Sequence, residues 1–163
     1  MAMKGDRDYN ETTDISFFWA ATPTTAEPGG LAVASGVGSG IAMGRNLTDD
    51  PNTVTYATAA GNLNVIGVLV QTVAPAMSAT RDFINYDKNE IRPGDKCTLI
   101  TDGFVVTDMI SGTPAANGIA YLGASGLFAT SSAGGAPSVG KFMSTEDANG
   151  YCKVRLAIPS KLA

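Results

Sequence analysis

The C-terminal stretch from Tyr151 to Pro159 alternates between two kinds of side chain, and this pattern constrains the fold more than any other feature of the sequence. A period of two with one apolar face is typical of a β-strand that is buried on one side. Asn149-Gly150 stands directly before the stretch, and Asn-Gly favours a type I′ hairpin turn. The sequence therefore predicts an antiparallel hairpin whose first strand is the apolar segment 139–144. The apolar positions of its second strand are Cys152, Val154, Leu156 and Ile158, and the opposite positions are Tyr151, Lys153 and Arg155.

A second hairpin is predicted in the middle of the chain. Pro93-Gly94-Asp95 has the composition of a turn, because proline presets φ and glycine accepts a positive φ. Lys96 to Thr101 is rich in residues that favour strands, and Phe104 to Thr107 is similar. Asp102-Gly103 lies between them and is a favoured two-residue hairpin turn. We therefore expect Asp102-Gly103 at the tip of an antiparallel hairpin.

The most apolar run of the chain, Asn64 to Val73, predicts a central strand. Its length and its β-branched residues indicate burial on both faces of a sheet. Together with the two hairpins, this run predicts a mainly β fold, in the form of a small antiparallel β-barrel or a sandwich-like domain. We assign residues 31–163 to this β-rich domain and residues 1–30 to an extended N-terminal arm.

The N-terminal arm contains an aromatic cluster that could act in two ways. Residues 1–14 carry two basic and four acidic side chains and little to bury, which is typical of a mobile arm. The cluster that follows consists of Phe17, Phe18 and Trp19, the last being the only tryptophan of the chain. These three residues are our candidates for binding a partner, since aromatic anchors dominate many interfaces. The alternative is that they pack on the chain's own core.

The composition excludes most kinds of reactive site. The 163 residues include no histidine, which removes the commonest general base and the usual nucleophile pairs. Two cysteines without histidine do not indicate a zinc site, and the acidic residues fall mostly at turns. We therefore predict no enzyme activity, no catalytic, cofactor-binding or metal-binding residue, and no cofactor. Whether Cys97 and Cys152 form a disulfide is left open.

The charge of the chain bears on its partners. Charged residues make up only 16% of the sequence and the net charge is -4, whereas a general nucleic-acid binder needs a basic surface. Lys153 and Arg155 lie on one strand face, either as a local basic patch or as solvated side chains. The polar segment 1–10 and the lack of a long apolar run predict no secretion signal and no membrane span. We thus expect no nucleic-acid or membrane partner and synthesis in the cytoplasm.

The second half of the chain resembles the head decoration proteins of tailed bacteriophages over residues 91–158. The likeness lies in the order of a Pro-Gly-Asp turn, a Gly-x-x-Tyr-Leu strand, a Ser/Ala/Gly loop, a Val-Gly-Lys strand and a final strand after a glycine turn. The segments that carry it are Gly118 to Phe128, Val139 to Phe142 and Asn149 to Leu156.

This resemblance implies a structural virion protein without catalytic residues. Its implied partners are the major capsid protein and two further copies of itself in a homotrimer. It would lie on the outer surface of the assembled capsid and stabilise the shell by bridging capsid subunits. Two alternatives remain open, namely a phage tail or fibre component or carbohydrate-binding β-module, and a hydrolase with a carboxylate pair.

Overall fold

The computed structural model describes residues 3–5, 12–14, 17–20, 28–34, 41–42, 45–46, 52–61, 63–72, 91, 94 and 96–158. Within these ranges the chain is mainly β and contains no α-helix. This confirms the predicted fold class, whereas the barrel or sandwich form stays a prediction. The strands are β1 (Met3–Gly5), β2 (Thr12–Asp14), β3 (Phe18–Trp19), β4 (Leu31–Ala34), β5 (Ile41–Ala42), β6 (Arg45–Asn46), β7 (Thr53–Tyr56), β8 (Val65–Thr72), β9 (Cys97–Thr107), β10 (Ile110–Ser111), β11 (Ile119–Leu122), β12 (Phe128–Ala129), β13 (Ser138–Phe142) and β14 (Cys152–Ala157).

The strands form one open sheet with a main path of ten. Their order along this path is β10-β12-β11-β13-β14-β9-β8-β4-β7-β3. β1 and β2 also pair with β9, and β5 and β6 make a separate two-stranded sheet. Most neighbours are antiparallel, with parallel pairs only at the two ends of the path, between β10 and β12 and between β3 and β7. A short 3-10 turn at Ala124–Gly126 connects β11 to β12.

The long strand β9 holds the sheet together because four of the described strands pair with it. Val105 pairs with both β1 and β14, Asp102 with both β2 and β14, and Leu99 with both β2 and β8. A strand has only two edges, so β8 and β14 share one edge of β9 while β1 and β2 lie on the other. The sheet thus divides at β9 into a β8 branch (β8, β4, β7 and β3) and a β14 branch (β14, β13, β11, β12 and β10).

The predicted hairpin tip at Asp102-Gly103 is wrong, since both residues lie inside β9. Gly103 has a φ of 133°, which glycine accepts and other residues resist. It stands where the partner of β9 changes from β8 to β14. Gly103 therefore has the positive φ that the sequence indicated. The chain does not reverse there, and the sheet divides at this residue instead.

The C-terminal hairpin is confirmed, with a different turn from the one predicted. The amide of Gly150 donates to the carbonyl of Asp147 at 3.0 Å, so Ala148 and Asn149 are the central residues. Gly150 has a φ of 82°, whereas Asn149 is not among the described residues with positive φ. This combination indicates a type I turn followed by a bulge glycine. The Asp147 side chain supports the turn by accepting from the amides of Asn149 at 2.8 Å and Tyr151 at 2.9 Å.

The predicted central strand is confirmed as β8, which is buried on both faces. Its consecutive residues Val68 and Leu69 are both fully buried, and they belong to two different core clusters. The first cluster joins both branches of the sheet and includes Leu31, Val68, Leu122, Phe128, Phe142, Val154 and Leu156. The second cluster lies against the other face of β8 and includes Trp19, Val54, Tyr56, Leu69, Ile91, Cys97 and Leu99.

The proposed boundary between an arm of residues 1–30 and a domain of residues 31–163 stays a prediction. The described parts of the first thirty residues include three strands, β1, β2 and β3. β1 and β2 pair with β9, and β3 pairs in parallel with β7. Cys97 and Cys152 are both buried and are not bonded to each other. They belong to the second and the first cluster, respectively.

Candidate interaction surfaces

The aromatic segment Phe17–Trp19 is held by backbone hydrogen bonds on two sides. On one side, the amide of Phe18 donates to the carbonyl of Asn52, and the amide of Ala20 to that of Val54, each at 2.9 Å. On the other side, the carbonyls of Phe17 and Trp19 accept from the chain that enters β9, again at 2.9 Å. The donors there are the amides of Cys97 and Gly94. The main chain of this segment is thus part of the sheet.

The three aromatic side chains differ in burial. Trp19 has no exposed surface, and its ring meets that of Tyr56 edge-on at a centroid distance of 5.0 Å. Phe17 and Phe18 are half-buried, with Phe17 packed against the second cluster. That these residues bind a partner stays a prediction. Trp19 could contact a partner only if the segment left the sheet, whereas Phe17 and Phe18 are already partly exposed.

The outer face of the β14 branch is a second surface, and the strand register defines it. Val105 and Val154 are fully buried in the first cluster, so their neighbours along each strand point outward. Residues directly opposite in an antiparallel pair share a face. Phe104 lies opposite Arg155, which in turn lies opposite Lys141. These three side chains therefore form a row across β9, β14 and β13.

Two exposed apolar side chains extend this row. Ile119 of β11 lies opposite Lys141 and is 46% exposed. Met143 follows β13, its amide donates to the carbonyl of Lys153 at 2.7 Å, and its side chain is 43% exposed. Leu63 is the third large apolar side chain that is exposed in the described part of the chain, and it lies elsewhere. We define the basic face as Phe104, Ile119, Lys141, Met143, Lys153 and Arg155.

The basic face is electrostatically unusual for this acidic chain. It carries three of the four Lys and Arg side chains whose positions the structure describes. Lys141 and Arg155 are direct cross-strand neighbours, and like charges in that position destabilise a sheet. The ammonium group of Lys153 lies 4.9 Å from the centre of the Phe104 ring, a cation–π contact. Asp102 is exposed two residues before Phe104 in β9, at the end of this surface.

Sequence reasoning found only part of the basic face. The alternation in β14 placed Lys153 and Arg155 together, with a basic patch as one of two interpretations. Lys141, Ile119 and Met143 were missed because they come from other strands. Their place beside Arg155 depends on the register of β11 against β13 and of β13 against β14. The exposed position of Lys141 in the Val-Gly-Lys strand was the one available signal.

The described residues bring no reactive group together. Within the described ranges, no three Cys, Asp or Glu side chains are close enough to bind a metal ion. The thiol of Cys152 donates to the carbonyl of Ser144 at 3.0 Å, and burial raises the pKa of this thiol above its ordinary value. A raised pKa keeps the thiol protonated and weakly nucleophilic. The same ranges contain no helix long and apolar enough to cross a lipid bilayer.

Comparison with known families identifies the kind of protein. A family model described as "Structural cement protein (E217 gp24/Pam3 gp6)" matches residues 3–157. The chain belongs to this family. It is therefore a structural phage protein that stabilises the capsid, associates with the capsid and is part of the virion. No curated protein matches the chain.

The family match also extends the resemblance found in the sequence. The likeness to head decoration proteins covered residues 91–158, whereas the family match begins at residue 3 and includes all fourteen described strands. The resemblance to phage decoration proteins is thus confirmed at the level of the family. A structural cement family also indicates a non-enzymatic role.

Proposed function

We propose that the chain binds the outer surface of an assembled phage capsid and bridges neighbouring major capsid subunits as a homotrimer. The observation that carries this proposal is the match to a structural cement family over residues 3–157. In this proposal the chain performs no catalysis and needs no cofactor, because its binding to the capsid is enough to stabilise the shell.

Mass action explains how such a protein stabilises a shell. A ligand that binds the assembled capsid and not its dissociated subunits shifts the equilibrium toward assembly. A trimer strengthens this effect, because the first contact raises the effective concentration of the other two at the shell. Three small domains can thus hold a capsid together more firmly than the contact area of one domain suggests.

The charge of the chain favours the outer surface. The net charge of -4 would be repelled by the packaged genome, whereas it is tolerated on the outside of the shell. The same charge argues against nucleic acid as a partner, since phosphate binding requires a basic surface.

The N-terminal segment is a second point of attachment in this proposal. Residues 1–30 would contact the capsid, with the half-buried Phe17 and Phe18 as the aromatic side chains within reach of a partner. Binding by Trp19 would require the segment to leave β7 and β9, at the cost of the core packing around its indole. Phe17→Ala tests this role by its effect on attachment, since deleting the whole segment would also remove Trp19 from the second cluster.

The test of the proposed function is removal and add-back. Capsids stripped of the protein are heated with and without purified protein, and particles are then imaged by cryo-electron microscopy. We expect add-back to raise the rupture temperature and to place the protein at symmetry-related positions between capsid subunits. An unchanged rupture temperature and no rebinding would overturn the proposal, and a tail or fibre component or a carbohydrate-binding module would then be favoured.

A further inference from the structure

We propose that the basic face is the surface through which the chain docks onto an acidic protein surface of the assembled capsid. The proposal rests on the capsid-binding function argued above and adds which side of the domain makes the contact and what chemistry it recognises. The face lies on the β14 branch, on the opposite side of the sheet from the first core cluster.

The first argument is the cost of the charges. Lys141 and Arg155 face each other across β13 and β14, and neither forms an ion pair within the described part of the chain. Like charges directly opposite each other destabilise a sheet, so this arrangement contributes nothing to folding. Carboxylates of a partner between the two cations would turn the repulsion into two charge-assisted contacts. An acidic docking partner therefore explains a feature that the isolated fold does not.

The second argument is the apolar content of the same face. Ile119 and Met143 are two of the three large apolar side chains that are exposed in the described residues. Ile119 is a direct neighbour of Lys141, and the amide of Met143 is bonded to the carbonyl of Lys153. Methionine, arginine and aromatic residues are enriched in protein interfaces, and all three types occur here. The composition thus matches a protein contact surrounded by charge.

These apolar groups favour protein over nucleic acid as the occupant. Binding to a single strand relies on aromatic rings that stack on bases and on a basic groove along the backbone. Ile119 and Met143 offer no stacking surface, and Phe104, the one aromatic residue of the face, is half-buried with the ammonium group of Lys153 over its ring. The net charge of the chain is also -4. A second copy of this chain, which is acidic overall, is the other candidate to cover the basic face. The proposal commits to the capsid because the cement family acts on capsids.

The experiment measures the binding of purified protein to stripped capsids at low and high salt, about 0.05 M and about 0.5 M. One variant combines Lys141→Ala with Arg155→Ala, and a second carries Ile119→Ser. The matched controls are Lys96→Ala and Leu63→Ser, which alter an exposed lysine and an exposed leucine away from the basic face. Thermal unfolding of every variant establishes that it is folded before binding is compared.

We expect the double alanine variant to bind about tenfold more weakly at low salt, with a smaller difference at high salt, where charges are screened. Ile119→Ser should weaken binding about tenfold at both salt concentrations, because an apolar contact is not screened. Both controls should bind like the wild type. The double variant should also melt no earlier than the wild type, since it removes a repulsion, and this separates a docking role from a structural one.

The outcomes separate the two proposals. Wild-type protein that does not bind stripped capsids would overturn the proposed function and this face with it. Wild-type binding that both folded variants retain would overturn the face alone. Equal losses in variants and controls would also overturn it. The assignment of this face to the capsid would also be overturned if the variants still bound capsids but lost self-association, measured by light scattering. Loss of binding to single-stranded DNA with capsid binding retained would overturn it as well.

Discussion

Among single residues, two glycines have similar backbone conformations but different surroundings. Gly126 and Gly150 have φ values of 77° and 82°, a left-handed conformation that side chains with a Cβ resist. A Cβ at Gly150 would meet nothing within 4 Å, whereas one at Gly126 would lie 2.6 Å from the Tyr56 ring. Tyr56 therefore packs against Gly126 in the connection between β11 and β12, and the absent side chain is required for that contact.

Replacing each glycine by alanine separates backbone strain from packing. We expect Gly150→Ala to lower the free energy of unfolding by about 1 kcal/mol, the cost of the left-handed backbone alone. Gly126→Ala should cost about 1–3 kcal/mol more, because the new methyl group overlaps the Tyr56 ring. Urea denaturation followed by circular dichroism measures both values. Equal costs for the two variants would show that Tyr56 does not pack against Gly126.

At the scale of the element, β9 shows how one strand can serve two branches. Its first part pairs with β8 and its second part with β14, while β1 and β2 lie along the other edge. β3 follows β2 in the chain and brings Trp19 into the second cluster. The N-terminal strands therefore cover an edge of β9 that would otherwise expose unpaired backbone groups.

Trp19→Ala tests whether the N-terminal segment is part of the folded unit. Because the indole is fully buried against Tyr56, we expect a loss of about 3–5 kcal/mol in the free energy of unfolding. Phe18→Ala is the matched control and should cost less, since that ring is half-buried. Urea denaturation followed by far-UV circular dichroism provides the measurement. A neutral Trp19→Ala would mean that the segment does not pack in the free protein, which would favour the indole as an anchor for a partner.

In the molecule as a whole, the two core clusters are linked because they share the strands β8 and β9. Val68 and Leu69 are consecutive in β8 and belong to different clusters, so neither cluster can lose β8 without disturbing the other. β9 adds a second link, since Leu99 belongs to the second cluster and Val105 to the first. The ten strands of the main path should therefore behave as one cooperative unit.

This linkage predicts a single unfolding transition. Trp19 is the only tryptophan and reports on the second cluster, whereas far-UV circular dichroism reports on all strands. We expect the two signals to change at the same urea concentration, which is a standard sign of two-state unfolding. Unfolding of the tryptophan signal at a lower urea concentration than the loss of β structure would contradict the prediction. It would indicate that the second cluster opens by itself.

Much of the local structure could be predicted from the sequence. The alternation from Cys152 to Leu156 indicated the buried face of β14, and the apolar run 64–73 indicated a strand buried on both faces. Asn149-Gly150 indicated a reversal, and the chain does reverse there. These features depend on neighbours along the chain, through side-chain periodicity and the φ preference of glycine. The family resemblance could be found in the same way, because it lies in the order of such segments.

The β class, the inward face of β14, the burial of β8 on both faces and the need for glycine at positions 103 and 150 all follow from the order of residues along the chain. The folded chain, in contrast, places Gly103 within the continuous strand β9 where the sheet divides, and it places Trp19 inside the second cluster. It also decided that Ile119, Lys141 and Arg155 share one face, across three strands. The physical reason is that strand register depends on pairing between distant segments, and a shift of one residue turns every side chain to the other face. Local propensities do not encode that choice, so the surface that we assign to the capsid exists only once β9 has brought the strands together.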